Sequence, residues 1–447
     1  MHSASIGNRP ISNTAVTIGA EAVPNPRRHA FDKAKRWGTL LAKFVSVQII
    51  VQAIGLVAGL LLIRTLSQKE YAYFTLANTM QATLLLLADV GVGSALSATG
   101  GKVWQDQQRF SELIQTGLHI RKNLAWIGGA IALPILCWML IRNGTSVGYA
   151  LLLAGAVLLG ANYRLTTDVL TMVPRLHGRI DQLQKLDLGA NVFRLAVLGA
   201  ACLTYVNAAV AVLVASLSFG LQYVLIRRWA AKAVDLQAPT SAADRQTIFR
   251  VVKQMAPNTI YFCVQGQLSV FLISVFGSTK TLAEVGALGR LAVLFSIIGS
   301  VISSVVLPRF ARCQNKARLK AMWWQIMGGY AALSLMLLAL AIYLPGPFLW
   351  LLGKSYAHLD KELAYIIFSV VVGNLVGTIY GLNASRGWTQ GAWLAIPIVL
   401  LGQIVLARTL DLGTVAGVAL FISLPFIPST VPYLYRTYKS LQMPQCA

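Results

Sequence analysis

Charged residues are scarce in this sequence: they occupy 12% of 447 positions, against about a quarter in an ordinary soluble protein. Acidic residues are the scarcer kind, 15 against 38 lysines and arginines. Long stretches therefore carry no charge at all, and 56% of the chain is hydrophobic. This composition excludes an ordinary water-soluble enzyme and leaves little chain for structure outside a lipid bilayer.

Cysteine and histidine are also few, five of each, and they are dispersed along the chain. No Cys-x-x-Cys pair or histidine cluster is present, so we expect no disulfide framework, no metal site and no cofactor. The run Gly91-Val-Gly-Ser-Ala-Leu lacks the final glycine of the dinucleotide fingerprint. No nucleophilic triad or carboxylate pair lies on a predicted outside loop, and we therefore do not expect an enzyme.

What the sequence has instead is a series of long apolar runs. Windows of 19 residues predict an all-α, polytopic integral membrane protein with about twelve transmembrane helices, within a range of about ten to fourteen. The predicted spans are 44–63, 71–98, 123–141, 147–170, 187–205, 208–226, 254–276, 284–307, 322–344, 362–383, 391–407 and 412–434.

The basic residues predict the orientation of these spans. Of the 38 lysines and arginines, 28 lie in the termini and in alternate loops, seven lie in the opposite loops, and three lie within spans. Because Lys and Arg are retained on the cytoplasmic side during insertion, both termini are predicted to be cytoplasmic. The net charge of +23 is then a topology signal that also attracts anionic membrane lipids, and no nucleic-acid partner is needed to explain it.

The spans fall into two halves of similar pattern. We expect a disordered tail at 1–30, a six-helix lobe at 31–230, a cytoplasmic linker at 231–253 and a second six-helix lobe at 254–447. At an offset of 214 residues, Glu70-Tyr-Ala-Tyr-Phe pairs with Glu284-Val-Gly-Ala-Leu, each following an apolar strip and a polar turn. Parallel repeats of this kind are related by a pseudo-two-fold axis and leave a central cavity suited to alternating access.

Four stretches of this chain carry a resemblance to a known family. They are Arg64-Thr-Leu-Ser-Gln-Lys-Glu-Tyr-Ala-Tyr-Phe with Asp89-Val-Gly-Val-Gly, Arg175-Leu-His-Gly-Arg, Met255-Ala-Pro-Asn and Val306-Leu-Pro-Arg-Phe-Ala-Arg. Together they resemble the bacterial polysaccharide-export and O-antigen flippases of the multidrug, oligosaccharidyl-lipid and polysaccharide exporter superfamily. The pattern departs from the family at Ala72, where glycine is usual, and at Arg290, where an apolar residue is expected.

This resemblance implies a flippase that moves polyprenyl-pyrophosphate-linked oligosaccharide across the bacterial cytoplasmic (inner) membrane, for lipopolysaccharide or exopolysaccharide biosynthesis. It also implies a polysaccharide polymerase and chain-length machinery as partners. Two alternatives stay open. A cation-coupled multidrug exporter of the same superfamily needs acidic residues in its spans, and a membrane polymerase or ligase of the saccharide would normally carry a large outside loop, whereas the loops here are short.

Charged residues in or beside the spans are the candidate site residues, because a charge at mid-membrane costs about 2.5 to 3.5 kcal/mol. Arg164, Arg194 and Arg290 are predicted to face the cavity and bind phosphate oxygens. Two local explanations compete with this role: an ion pair between Arg164 and Asp168, four residues apart, and extension of Arg290 toward the outer interface.

Asp89 and Asp168 are the candidate ion-coupling residues. Asp89 is predicted to lie deep in the second span, and we favour its pairing with an arginine from a neighbouring span over an ion site. Amides within the spans are candidate sugar contacts, although polar residues also hold membrane helices together. They are Asn78, Gln81, Asn162, Asn258, Gln265, Gln267, Asn374 and Asn383.

Overall fold

The computed structural model describes residues 26–292, 316–386 and 391–442, apart from Gly178, with scattered positions between these ranges. Up to residue 45 it describes the backbone alone. The chain divides into two compact units, residues 1–43 and 44–447, and all that follows concerns the second. The predicted tail, 1–30, lies outside the described residues except for its last five, which begin a helix.

Every regular element in the described part of the chain is helical, which confirms the all-α prediction. The elements of the N-terminal half are α1 (Pro26–Thr65), α2 (Gln68–Asp89), α3 (Val92–Val103), α4 (Gln107–Arg142), α5 (Val147–Leu170), α6 (Met172–Leu176), α7 (Ile180–Thr204) and α8 (Ala208–Ala230). Those of the C-terminal half are α9 (Ala242–Phe276), α10 (Thr279–Gly289), α11 (Lys316–Tyr343), α12 (Pro345–Leu352), α13 (Asp360–Ser385), α14 (Ala395–Leu406), α15 (Val415–Ser423) and α16 (Phe426–Gln442).

The described helices coincide with the predicted spans. Nine of them are long and apolar enough to cross a membrane, and the bent pair α2 and α3 makes a tenth. The eleventh predicted span is the shorter apolar helix α14. The eighth, 284–307, begins within α10 and then leaves the described residues, and the motif that starts at Val306 also lies largely outside them.

Polar side chains at the helix starts explain where many of these helices begin. An oxygen of each such side chain accepts a hydrogen bond from a backbone N–H of the first turn, which would otherwise lack a partner. Helices that lack charge along most of their length are thus delimited by single polar residues in the turns. These caps are Ser67, Asp106, Ser146, Asn207, Ser241, Ser278, Asn315 and Thr414.

Successive spans run in opposite directions and so define two faces. We call the end at which α4 begins and α5 ends the basic face, and the end at which α4 ends and α5 begins the opposite face. The predicted linker 231–253 lies at the basic face, but only 231–241 is a connection, because α9 already starts at Ala242. This connection packs against α4, where Ser111 Oγ and Thr116 Oγ1 each accept a backbone N–H at 2.9 Å.

The first turns of α9 are also attached to the N-terminal half. Arg109 of α4 forms a bidentate ion pair with Asp244, with both N···O distances at 2.9 Å. Ile248 and Val252 belong to the hydrophobic core of that half. Farther along, Ile273 packs in a core shared by both halves, and Pro257 lies between the two regions.

Three hydrophobic cores stabilise the described chain, and they are distributed unevenly. At the opposite face one core is shared by both halves, with Phe74 and Leu136 from the first and Leu282 and Leu363 from the second. At the basic face each half has a core of its own, which includes Phe110 in the first and Phe310 in the second. Among the described residues, the cores of the two halves are therefore joined at one end and, apart from the first turns of α9, separate at the other.

Contacts of the two repeat-related glutamates support the internal repeat. Glu70 Oε2 accepts hydrogen bonds from the Tyr149 hydroxyl at 2.6 Å and from the Ala208 backbone N–H at 2.7 Å. Glu284 Oε1 lies 2.9 Å from Nε2 of His358. Tyr149 lies in the first turn of α5 and His358 lies just before α13, which are the fourth spans of their halves. In each half, a glutamate of the second span thus contacts a side chain at the start of the fourth span.

Candidate functional site

The second span is broken at Asp89. Val90 and Gly91 adopt positive φ angles of 26° and 86°, a conformation that favours glycine, and α2 and α3 meet at an angle of 46°. Asp89 Oδ1 accepts the Gly93 N–H at 3.1 Å and so caps α3. Asp89 ends α2 about 31 Å from its start, roughly the thickness of the hydrocarbon core. Asp89 is thus the last residue of α2, and its depth in the membrane stays a prediction.

Arg121 of α4 joins two carboxylates at this level. Its Nη2 lies 3.2 Å from Asp89 Oδ1 and 3.5 Å from Asp168 Oδ2, and Arg121 is only 6% exposed. The three residues each lie about 31 Å along their helices from the opposite face. The arginine partner that we favoured for Asp89 is thus present, in a residue that the hydropathy windows assigned to a loop.

Arg164 belongs to the same network. Its Nε pairs with Asp168 Oδ1 at 3.1 Å, which confirms the predicted local ion pair. Its Nη1 donates to Gln222 Oε1 at 3.3 Å, and Gln222 Nε2 donates to Asp187 Oδ1 at 3.3 Å. We call Asp89, Arg121, Arg164, Asp168, Asp187 and Gln222 the charge cluster. With Arg175 nearby, its formal charges balance.

Arg290 follows α10 directly, about 16 Å from the start of that helix. About half the thickness of a hydrocarbon core thus separates Arg290 from the start of α10. Its Nε donates to the Tyr71 hydroxyl at 3.3 Å, while that hydroxyl donates to the Gly286 carbonyl at 3.2 Å. The guanidinium also lies over the Phe74 ring, 5.3 Å from its centroid. These contacts fix Arg290 at the contact between α2 and α10.

Arg194 of α7 lies at nearly the same level, about 15 Å from the end of its helix at the opposite face. It is half-buried and close enough to Arg290 for the two positive charges to repel each other. Among the described residues, no carboxylate pairs with either guanidinium. Arg164 is about 26 Å along its helix from the opposite face, so it lies about 11 Å farther from that face than Arg194.

A cavity of about 790 Å³ lies between α2 of the first half and several helices of the second. Arg290 lines it, and neither Arg164 nor Arg194 does. The polar side chains around it are amides and hydroxyls, with aromatic rings among them. They include Thr75, Asn78, Thr79, Gln265, Ser269, Ser369, Asn374, Tyr380 and Tyr433.

The candidate sugar contacts divide between the cavity and other positions. Asn78, Gln265 and Asn374 line the cavity. Asn383 instead holds two helices together, donating to the Tyr433 carbonyl at 3.0 Å and accepting from Thr437 at 2.8 Å. The side chain of Asn258 lies outside the described residues. Hydropathy windows missed Ser269 and Ser369, since a single hydroxyl barely changes the score of an apolar run.

These features define a two-lobed polytopic membrane protein with a polar cavity between its halves. No family model matches the sequence, and no curated protein matches it. Solved structures do resemble it. An inward-facing multidrug resistance MATE family transporter of the MOP superfamily has a TM-score of 0.72 at 15% identity, over 89% of this chain and 99% of that one.

Two further solved structures show the same fold. An outward-facing MATE family transporter has a TM-score of 0.63 at 14% identity, over 90% of this chain and 96% of the other. The lipid II flippase MurJ, in an inward closed conformation, has a TM-score of 0.63 at 14% identity, over 90% of this chain and 88% of MurJ. The chain thus has the fold shared by these transporters and this flippase.

Proposed function

We propose that this protein is a flippase that moves polyprenyl-pyrophosphate-linked oligosaccharide across the cytoplasmic membrane by alternating access. The observation that carries this proposal is the cavity between the halves, which combines a fixed guanidinium near mid-membrane with a lining of amides and hydroxyls. MurJ, a lipid II flippase, has the same fold. As part of the proposal, both termini are cytoplasmic and the basic face is the entry side.

The guanidiniums lower the free-energy cost of moving a pyrophosphate through a medium of low dielectric constant, which is the most costly step of the transport. Arg290 is held in place by Tyr71 and Phe74, and Arg194 adds a second positive charge at the same level. Two like charges without a carboxylate partner in the described chain repel each other. An anion bound at Arg290 in the cavity offsets that repulsion, and guanidiniums bind phosphate oxygens in a bidentate manner.

The remainder of the cavity suits a carbohydrate. Asn78, Asn374 and Ser369 provide donors and acceptors for hydroxyl groups, and Tyr380 and Phe262 provide flat apolar surfaces. Because the polar groups are spread over four helices, no single pair of residues would select one sugar. The lipid tail remains in the bilayer in this proposal, while the head group crosses within the cavity.

The distribution of cores supports entry from the basic face. The halves share a core at the opposite face and have separate cores at the basic face. The structural match to the inward-facing MATE transporter, with a TM-score of 0.72, is also closer than the match to the outward-facing one at 0.63. We therefore assign this conformation to the substrate-loading state.

A cation-coupled exporter is the second candidate, favoured by the charge cluster. Asp89 and Asp168 lie on either side of Arg121, and Asp187 is linked to them through Gln222 and Arg164. A carboxylate in such a network could bind and release a proton as the halves move. This candidate predicts that Asp168→Asn abolishes drug efflux while surface polysaccharide stays normal.

Deletion of the gene, followed by complementation, tests the two candidates. A flippase defect leaves polyprenyl-linked saccharide accumulated on the cytoplasmic side, whereas an exporter defect causes drug sensitivity with normal polysaccharide. We expect Arg290→Gln to reduce saccharide export at least about ten-fold, because it removes a charge-assisted contact worth about 1.5 to 3 kcal/mol, and Arg194→Gln, outside the cavity lining, to reduce it less.

The matched control is Arg408→Gln, an exposed arginine in a loop at the opposite face. It should export saccharide like the parent. Arg164→Gln should have a smaller effect than Arg290→Gln, since Arg164 is already paired with Asp168. Unchanged export in all three membrane variants, measured at equal protein levels, would refute the role of the arginines.

A further inference from the structure

A second cavity, of about 740 Å³, lies on the flank of the N-terminal half, away from the cavity between the halves. It is bounded mainly by α4 and α5, and none of its lining residues lines the central cavity. We call it the flank groove and define it by His119, Arg121, Lys122, Trp126, Gly155 and Leu159. The transport route proposed above does not use it.

The polar end of the flank groove lies near the basic face. Lys122 lies about 30 Å along α4 from the end of that helix at the opposite face, which is roughly the full thickness of a hydrocarbon core. His119 lies one turn farther out. Both side chains are exposed. This end is therefore at the height of the lipid head groups of the basic-face leaflet.

The other end of the flank groove, farther from the basic face, is apolar and open. Trp126, one turn deeper than Lys122, is 63% exposed, and Leu159 also faces outward. Gly155 has no neighbour within 4 Å of the position that a β-carbon would occupy, so the backbone of α5 forms an open trough there. These surfaces are exposed within the thickness of the bilayer, where an alkyl chain can cover them.

Arg121 links the flank groove to the charge cluster. One of its terminal nitrogens binds Asp89 and Asp168, but its buried Nε has no hydrogen-bond partner in the part of the chain that the structure describes. A buried N–H without a partner is costly, and a ligand oxygen at the groove would satisfy it.

We propose that the flank groove binds one anionic phospholipid of the basic-face leaflet. The phosphate of this lipid binds Lys122, His119 and the Nε of Arg121. One acyl chain lies along Trp126 and Leu159 over Gly155. Basic pockets between membrane helices bind anionic head groups in this way.

The charge at the groove favours a single phosphodiester over a pyrophosphate. Lys122 is the one full positive charge among the groove residues named above, since Asp89 and Asp168 neutralise much of Arg121. A second phosphate would bring another negative charge toward these carboxylates. The groove is thus matched to a phospholipid and not to the pyrophosphate-linked substrate proposed for the central cavity.

Native mass spectrometry of the full-length protein in detergent tests this inference, with phosphatidylglycerol, phosphatidylethanolamine and polyprenyl phosphate as separate probes. We expect phosphatidylglycerol to be retained most strongly. The double variant His119→Gln, Lys122→Gln should weaken it about five-fold or more. Gly155→Phe, which fills the trough, should abolish its retention.

Two controls match these variants. Lys320→Gln removes an exposed lysine near the basic face of the other half, and Gly148→Phe adds the same ring at another open glycine of α5. Both should retain the lipid like the parent. The inference is overturned if phosphatidylethanolamine is retained equally, if polyprenyl phosphate is retained more strongly, or if variants and controls behave alike. Should Gly155→Phe fail to fold, the double variant decides alone, and saccharide export tests the transport proposal independently.

Discussion

The opposite face and the basic face of this molecule are held together in different ways. At the opposite face, both halves contribute to one hydrophobic core, and side chains of one half bond to the backbone of the other. Arg64 Nη2 donates to the Trp350 carbonyl at 2.7 Å, and Arg142 Nη2 donates to the Val275 carbonyl at 2.7 Å. At the basic face the C-terminal half has a core of its own, and the core of the N-terminal half includes only the first turns of α9 from the other half, which Arg109 also binds through Asp244.

This difference indicates which contacts must break if the halves are to move. A core that belongs to one half moves with that half as a body, whereas the shared core must divide. The bonds across the opposite face are few and partly exposed, so each contributes modestly. Alternating access, as proposed, would exchange these bonds for new ones at the basic face.

The largest effect is expected where α2 and α10 touch at the opposite face. A β-carbon on Gly286 would lie 2.2 Å from Thr75 Oγ1, and the Tyr71 hydroxyl bonds to the Gly286 carbonyl. Gly286→Val should therefore destabilise the protein by about 3 kcal/mol and open this face. Thermal unfolding in detergent measures the first effect, and reactivity of a cysteine introduced at Thr75 measures the second.

Gly289→Ala serves as the control for that variant, because Gly289 lies on the same helix with no atom within 4 Å of its added carbon. If Gly286→Val unfolded at the temperature of Gly289→Ala, the close contact of the two helices would not be what joins the halves.

A smaller effect is expected from the charge cluster at the basic face. Arg121→Gln leaves Asp89 and Asp168 without their shared cation, at a cost of about 2 kcal/mol after allowance for their partial exposure to solvent. The loss should be confined to the N-terminal half and the first turns of α9, because the described core at this face includes no other helix of the C-terminal half. Hydrogen exchange of α3 to α5, compared with α11 and α13, measures this confinement.

Lys102→Gln is the control, since Lys102 is an exposed lysine of α3. Uniformly faster exchange in both halves of Arg121→Gln would contradict the separation of the two basic-face cores.

The smallest effect is expected from one bond across the opposite face. Arg142→Gln removes the contact with the Val275 carbonyl, and since Arg142 is exposed the loss should be below about 1 kcal/mol. Its consequence should be a shift in the populations of open and closed states, measured by distances between spin labels at this face. An unchanged distance distribution, with Lys280→Gln as the control, would show that this bond does not hold the face closed.

The sequence predicted the positions of the spans well for a physical reason. A span needs about 20 apolar residues, and a single polar residue such as Ser146 or Asn207 is enough to begin the next helix. The ion pair between Arg164 and Asp168 was predictable too, because residues four apart on a helix are neighbours. These are local features, and the local sequence determines them.

The rest of the site depends on contacts between distant segments. Arg121 was assigned to a loop because the hydropathy window sees only its polar neighbours, although α4 begins about four turns before it. The break after Asp89 was missed because Val90-Gly91 lies in an apolar run that otherwise suits a helix. The match in depth between Arg194 and Arg290 could not be anticipated from residues almost a hundred positions apart in the sequence.

The attachment of α9 has a mechanical consequence. Its first turns are fastened to the N-terminal half by Asp244 and Ile248, and its last turns lie in the core that both halves share. The helix α9 is thus attached at two places that the proposed transport cycle would move apart. We therefore expect α9 itself to bend between these two places. Pro257, which lacks a backbone N–H to stiffen that stretch, lies between them.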